Sequence, residues 1–193
     1  MRHPKGEWPG VNTLLRAVGD STVGKSSICQ VFHSDNSHFS KNYTMTTGVE
    51  LLVKLVNIPD SKDKVELYMF DSAGKEIFSE LVQKFWEQPS VVMVVYDVTS
   101  EVSFSSCAKW LERVRCQKPE TKLPGVVVAN KTDLDERRII SPKAGMEFAE
   151  SNGLKYFECS AKEMQNVDAA FYYLANEFYK LYQEKVEIFK TMS

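Results

Sequence analysis

Short apolar runs alternate with segments of helical spacing along most of the chain. Val11 to Val18 is the first strand candidate, and Lys25 to His33 then reads as a helix. Val49 to Ile58 and Val65 to Phe70 form two strand candidates joined by the polar stretch PDSKDK. Their closeness predicts an antiparallel hairpin. Phe78 to Glu87 is helical in pattern. Val91 to Tyr96 is apolar on both faces, as a buried strand requires. Ser103 to Gln117 places Phe104, Cys107, Trp110, Leu111 and Val114 at helical spacing. Val126 to Ala129 is another buried strand. Ser141 to Asn152 opens on Ser-Pro, a cap followed by proline at the first helical position, and stops at Gly153. Tyr156 to Cys159 is the last strand, and Val167 to Lys190 a long final helix.

These alternations predict an α/β fold: a six-stranded, mostly parallel sheet with helices on both faces. Residues 1–10 read as a divergent lead-in and 11–193 as one domain with an extended last helix. No repeat or interdomain linker interrupts it. Ligands in such folds bind where strands end at their carboxyl edges. The loops that follow strands are therefore where chemistry should sit.

The first strand ends in GDSTVGKS, Gly19, Asp20, Ser21, Thr22, Val23, Gly24, Lys25 and Ser26, with Ser27 next. This is the G-x-x-x-x-G-K-[ST] spacing between a strand and a helix. The glycines let backbone N–H groups turn toward phosphate oxygens. Lys25 brings a charge to the β- and γ-phosphates, Ser26 a hydroxyl to Mg²⁺, and the helix its positive end. The 65–70 strand ends in Asp71, placed to hold Mg²⁺ through water, and Gly74 lets its own N–H approach a γ-phosphate. The 126–129 strand ends in NKTD. Asp133 can accept from guanine N1–H and its 2-amino group, a pair that adenine does not offer. Lys131 can lie along the ring face, and Asn130 can tie this loop to the phosphate loop. The 156–159 strand ends in ECSAK. There Ser160 can steady Asp133, the Ala161 N–H can donate to guanine O6, and the Lys162 stem can cover the base. GTP or GDP with Mg²⁺ is the ligand these loops predict.

In this order, with TTGVE and VVYDVTSEVSF, the motifs make the chain resemble the Ras superfamily of small GTPases, most of all its Rab branch. The similarity runs from about Leu14 to the last helix. DSAGKE, FSELVQKFWE and LYQEKVEIFK make it similar to the Rab-like GTPases of ciliary transport. The resemblance implies the three-layer P-loop NTPase fold. It implies that Thr46 binds Mg²⁺ and contacts the γ-phosphate, so that losing this phosphate releases its segment. It implies that Phe39 edges against guanine; a core residue at the helix end is the alternative. It makes Asp71 to about Trp86 the second switch. It also implies a small β-sandwich partner subunit, a larger ciliary transport complex, and a place in cytoplasm and cilium.

The chain departs from the family at Lys75, which stands where glutamine usually follows DxxG. A lysine ammonium has three donors and no acceptor, so it cannot accept from an attacking water. Thr44 and Met45, not an arginine, precede Thr46. Intrinsic hydrolysis should then be slow, since even Ras turns over at only about 10⁻⁴ s⁻¹. In the rival reading, Lys75 is itself a cationic finger. No confident catalytic residue follows.

Composition narrows the partners. A net charge of -2 argues against a general nucleic-acid binder. The four cysteines lack CxxC spacing, which predicts reduced thiols and no zinc. None follows Cys159, and Arg2 rather than glycine follows the initiator, so no direct lipid anchor is expected. Tyr182, Val186 and Phe189 continue the last helix's apolar stripe and are candidates for a partner surface, while the stripe from Phe171 to Leu181 should pack the core. Arg16 falls inside a strand expected to be buried. Either its guanidinium reaches an edge or a carboxylate, or the start of the chain is a variant. Two other functions fit the motifs: a structural subunit that holds nucleotide permanently, and a membrane-trafficking Rab.

Overall fold

The Val- and Leu-rich runs form strands in the computed structural model, which describes residues 11–40, 49–72, 89–117 and 123–192. The strands are β1 (Val11–Val18), β2 (Val49–Asn57), β3 (Lys64–Ser72), β4 (Val91–Asp97), β5 (Gly125–Asn130) and β6 (Lys155–Glu158). They make one sheet of order β2-β3-β1-β4-β5-β6. β2 and β3 form the expected antiparallel hairpin, with Val56 opposite Val65. The other pairings are parallel. Every residue of β4 and β5 is buried, which accounts for their unbroken apolar sequence.

Helices α1 (Lys25–His33), α2 (Glu101–Ser105), α3 (Cys107–Arg115), α4 (Pro142–Ser151) and α5 (Val167–Met192) cover the sheet. α1 and α5 close one face, where Phe32 and Phe171 stack at 4.0 Å. α3 and α4 close the other, around Trp110, Leu111 and Ala149. Helices therefore lie on both faces of the mostly parallel sheet, as the alternation predicts. Ser141 Oγ accepts the Ala144 N–H at 3.2 Å, and Gly153 ends that segment with a φ of 66°.

Three local expectations change. The helix predicted from Ser103 starts at Glu101, because Ser100 Oγ accepts the Ser103 N–H at 3.2 Å and caps it. It is interrupted at Ser106, which keeps helical dihedrals (φ -71°, ψ -17°), so α3 continues the path of α2. Leu181 is not core: it is 37% exposed, and the buried face of α5 ends at Tyr179. Tyr179 donates to Asp63 in the β2–β3 turn and accepts from Gln183, which ties the helix to the hairpin. Arg16 is 2% exposed in β1, and its guanidinium carbon lies 5.3 Å from the Phe70 ring centroid. Burial lowers its pKa to about 10. The helix expected over residues 78–87 lies outside the described residues.

Candidate functional site

The loop between β1 and α1 is built from backbone. Gly19 has a φ of 146°, and a Cβ there would stand 2.2 Å from Val95 O. Gly24 has a φ of 99°, and its Cβ would meet Asn130 Nδ2 at 2.3 Å. Neither position accepts a side chain without displacement. Among the described residues no side chain caps α1 and no acid stands in its first turn. Its leading N–H groups thus point into the loop, in the arrangement that suits an anion. Lys25 is buried, and its Nζ donates to Gly19 O at 3.0 Å and Asp20 O at 2.7 Å. Burial lowers its pKa to about 8, although Asp71 and Asp20 pull the other way. Asp71 is fully buried at the end of β3, beside Ala17 in register. Ser26 and Ser27 follow on the first turn of α1, half-buried.

The base-side loops are built from side chains. Asn130 ends β5, and its Nδ2 donates to Val23 O at 2.8 Å, tying this loop to the phosphate loop. Its Oδ1 accepts from the Ala161 N–H at 3.1 Å and lies 3.5 Å from Cys159 Sγ. Asp133 Oδ1 accepts from Ser160 Oγ at 2.6 Å, and Lys162 Nζ lies 3.5 Å from its other oxygen. Lys131 takes a left-handed φ of 69° and pairs with Asp97 at 2.6 Å. Burial pushes the Asp97 carboxyl up, but Lys131 and the Thr99 hydrogen bonds outweigh it and hold the pKa below the usual value.

A profile of the Ras family matches residues 15–180. The chain belongs to the Ras family. Among curated relatives it is 55% identical over 175 residues to "Intraflagellar transport protein 27 homolog" of Bos taurus, covering 91% of this chain and 94% of that one. It is 38% identical over 180 residues to "Intraflagellar transport protein 27" of Chlamydomonas reinhardtii, covering 91% and 88%. It is also 39% identical over 155 residues to "Ras-related protein Rab-2B" of Dictyostelium discoideum, covering 80% and 74%.

A Ras-family domain implies a guanine nucleotide and usually Mg²⁺, and the residues present fit both. The glycine positions that a Cβ would fill leave backbone at the loop's inner wall. Asp71 supplies a buried carboxylate next to the lysine. The structure brings together Gly19 to Ser27, Asp71, Asn130, Lys131, Asp133, Ser160, Ala161 and Lys162. Phe39 is half-buried and packs against the core cluster of α1 and α5. Thr46, Gly74 and Lys75 lie outside the described residues.

Two residues support the site without a role that the sequence motifs assign. Asp97 lies within VVYDVTSEVSF and ends β4, much as Asp71 stands one residue before the end of β3, so a carboxylate at a strand's end was a usable signal. Trp110 gave none: it reads as core, yet its Nε1 donates to Asp20 Oδ1 at 2.7 Å across 90 residues. A cleft of about 500 Å³ opens beside this contact, lined in part by Asp20, Thr22, Asp97, Ser103, Trp110 and Arg113.

Proposed function

We propose that this protein is a guanine-nucleotide-binding, Rab-like switch with slow GTP hydrolysis, serving as a subunit of the intraflagellar transport B complex. The observation that carries the nucleotide reading is Asp133, fixed by Ser160 at 2.6 Å beside a loop that Asn130 joins to the phosphate loop. A carboxylate held in this way can accept two hydrogen bonds from one base edge, which selects guanine. Lys131 covers the ring, oriented by Asp97. The Ala161 N–H, which donates to Asn130 Oδ1, would be shared with O6, and the Lys162 stem would close over the base. Phe39 would edge against it from the α1 side, although its side chain also packs against the α1–α5 core. Two carbonyls take two of the three Lys25 donors, which leaves a third for a phosphate oxygen. Ser26, Asp71 and Thr46 would hold Mg²⁺, which neutralises phosphate charge when bound. Gly74 would meet the γ-phosphate. Lys75 offers no acceptor for an attacking water, so GTP should persist.

The kinship to intraflagellar transport protein 27 supports the transport role, a place in cytoplasm and cilium, and a small β-sandwich partner, intraflagellar transport protein 25. Beyond Tyr179, α5 leaves Tyr182 40% and Phe189 72% exposed, with Val186 half-buried between them. These three are the proposed contact for the partner. Carrying Tyr182→Asp and Phe189→Asp together should abolish co-purification with that subunit; retained co-purification would remove this surface from consideration.

The central test is to quantify the nucleotide that co-purifies with the full chain and then time single-turnover hydrolysis. Guanine nucleotide at near one per chain is expected. Lys75→Gln should raise the hydrolysis rate about tenfold if the missing acceptor limits it. An unchanged or lower rate would instead favour Lys75 as a cationic finger.

A further inference from the structure

A further cross-link joins the two base-side loops. Arg138 directly follows a short 3₁₀ turn, Thr132–Arg137, that continues the NKTD loop. Its guanidinium meets Glu158 with both prongs, Nη1 to Oε1 at 2.9 Å and Nη2 to Oε2 at 3.1 Å. Its Nε donates to Asp135 Oδ1 at 3.1 Å, and Nη1 also reaches Ile140 O at 3.4 Å. Such a fork fixes direction as well as distance. The carboxylate is aimed in turn: Tyr156 Oη donates to Glu158 Oε1 at 2.6 Å and lies 3.4 Å from Tyr96 Oη. A Cβ on Gly145 of α4 would stand 2.4 Å from the Tyr156 ring and 2.5 Å from Tyr96 Oη, so the helix packs directly on the two tyrosines. The Arg138 side chain is 15% exposed and that of Glu158 30%, so solvent screens the pair only partly.

The places of these residues in the chain give the cross-link its meaning. Glu158 stands two residues before Ser160, which holds Asp133, and three before Ala161. Arg138 stands five residues after Asp133. The Ser160–Asp133 and Ala161–Asn130 bonds attach the two loops through adjacent residues of ECSAK. Arg138–Glu158 ties them again beyond the 3₁₀ turn, and an attachment set apart from the others fixes the angle between the loops. The Tyr96 end is anchored in β4, next to the Asp97 that orients Lys131.

We propose that Arg138 and Glu158, aimed by Tyr156, are positioning residues that set the spacing between Asp133 and Ala161 and thereby the discrimination for guanine. This rests on the reading that the site takes a guanine nucleotide. A base is judged on two edges at once, its N1–H and 2-amino group by Asp133 and its O6 by the Ala161 N–H, which donates to Asn130 Oδ1 at 3.1 Å and would be shared between that oxygen and O6. A small change in the gap weakens that joint fit more than it weakens phosphate binding.

The test compares GDP with IDP, which lacks the 2-amino group, as fluorescently labelled nucleotides on the full chain. Wild type should prefer GDP. Arg138→Met should shrink the GDP-to-IDP preference about fivefold and speed GDP release. Arg138→Lys, which keeps the charge but not the fork, should recover only part of it. The exchanged pair, Arg138→Glu with Glu158→Arg, should recover more. A purely structural role would lower the binding-competent fraction and weaken both nucleotides equally, so an unchanged ratio in folded Arg138→Met overturns the proposal. Should Arg138→Met fail to fold, Tyr156→Phe carries the test, with a loss of about twofold expected and an unchanged ratio again overturning it. A wild-type chain that binds GDP no better than IDP defeats the guanine reading itself, before any substitution is made.

Discussion

Asp133 and Lys25 mark the two sides of the site, and they are held by partners of different kinds. Asp133 is fixed by a side chain, Ser160 Oγ, within loops joined to each other by Asn130 and by Arg138. Lys25 is fixed by two backbone carbonyls of its own loop, whose turns need glycine at Gly19 and Gly24. The contrast separates selectivity from affinity. A side-chain network can be retuned residue by residue while the sheet stands. A backbone cradle cannot, because its shape is part of the fold.

Asp133→Asn should give the largest effect. Leaving two base donors without their shared acceptor should weaken GDP about 10³-fold. Xanthine nucleotide should gain, since its 2-oxo group suits the new amide. Titration with the two labelled nucleotides reads both changes, and an equal loss for both would erase the distinction between the sides. Lys25→Met should come next, weakening GDP about 10²-fold through the loss of one charge-assisted bond to phosphate. IDP should fall by the same factor, because this side does not read the base. Gly24→Ala should give the smallest change in binding terms and show mainly as stability. A methyl pressed against Asn130 in a left-handed conformation should cost about 2 kcal/mol, or about 4–8 °C in Tm. If Gly24→Ala instead shifted the GDP-to-IDP ratio with Tm unchanged, backbone and side-chain contributions would not be separable.

Much of this arrangement is legible in the sequence, for local reasons. The strand-loop-helix from Val11 to His33 is a contiguous pattern, and its ends in the structure fall where the pattern places them. β4 and β5 declare themselves by apolar runs that only double burial allows. What stays hidden depends on distance along the chain. The Asn130–Val23 bond, across 107 residues, is an exception, because the NKTD motif announces it. Trp110 at helical spacing looks like core, and nothing nearby in sequence says that its ring N–H reaches Asp20. The Arg138–Glu158 fork joins two ordinary surface residue types, so neither is conspicuous alone. Leu181 misleads because helical spacing continues after the sheet has ended; periodicity reports a face but not what lies opposite.

The anchorage of Tyr179 to Asp63 has a mechanical side. From Tyr179 to Met192 the helix runs 13 more residues, an arm of roughly 20 Å at 1.5 Å per residue. Such an arm magnifies angle into displacement. A tilt of about 10° at its base would carry the tip about 3.5 Å, roughly one residue's rise along a strand. A subunit gripping the far end would therefore register the orientation of the β2–β3 hairpin as a change in reach.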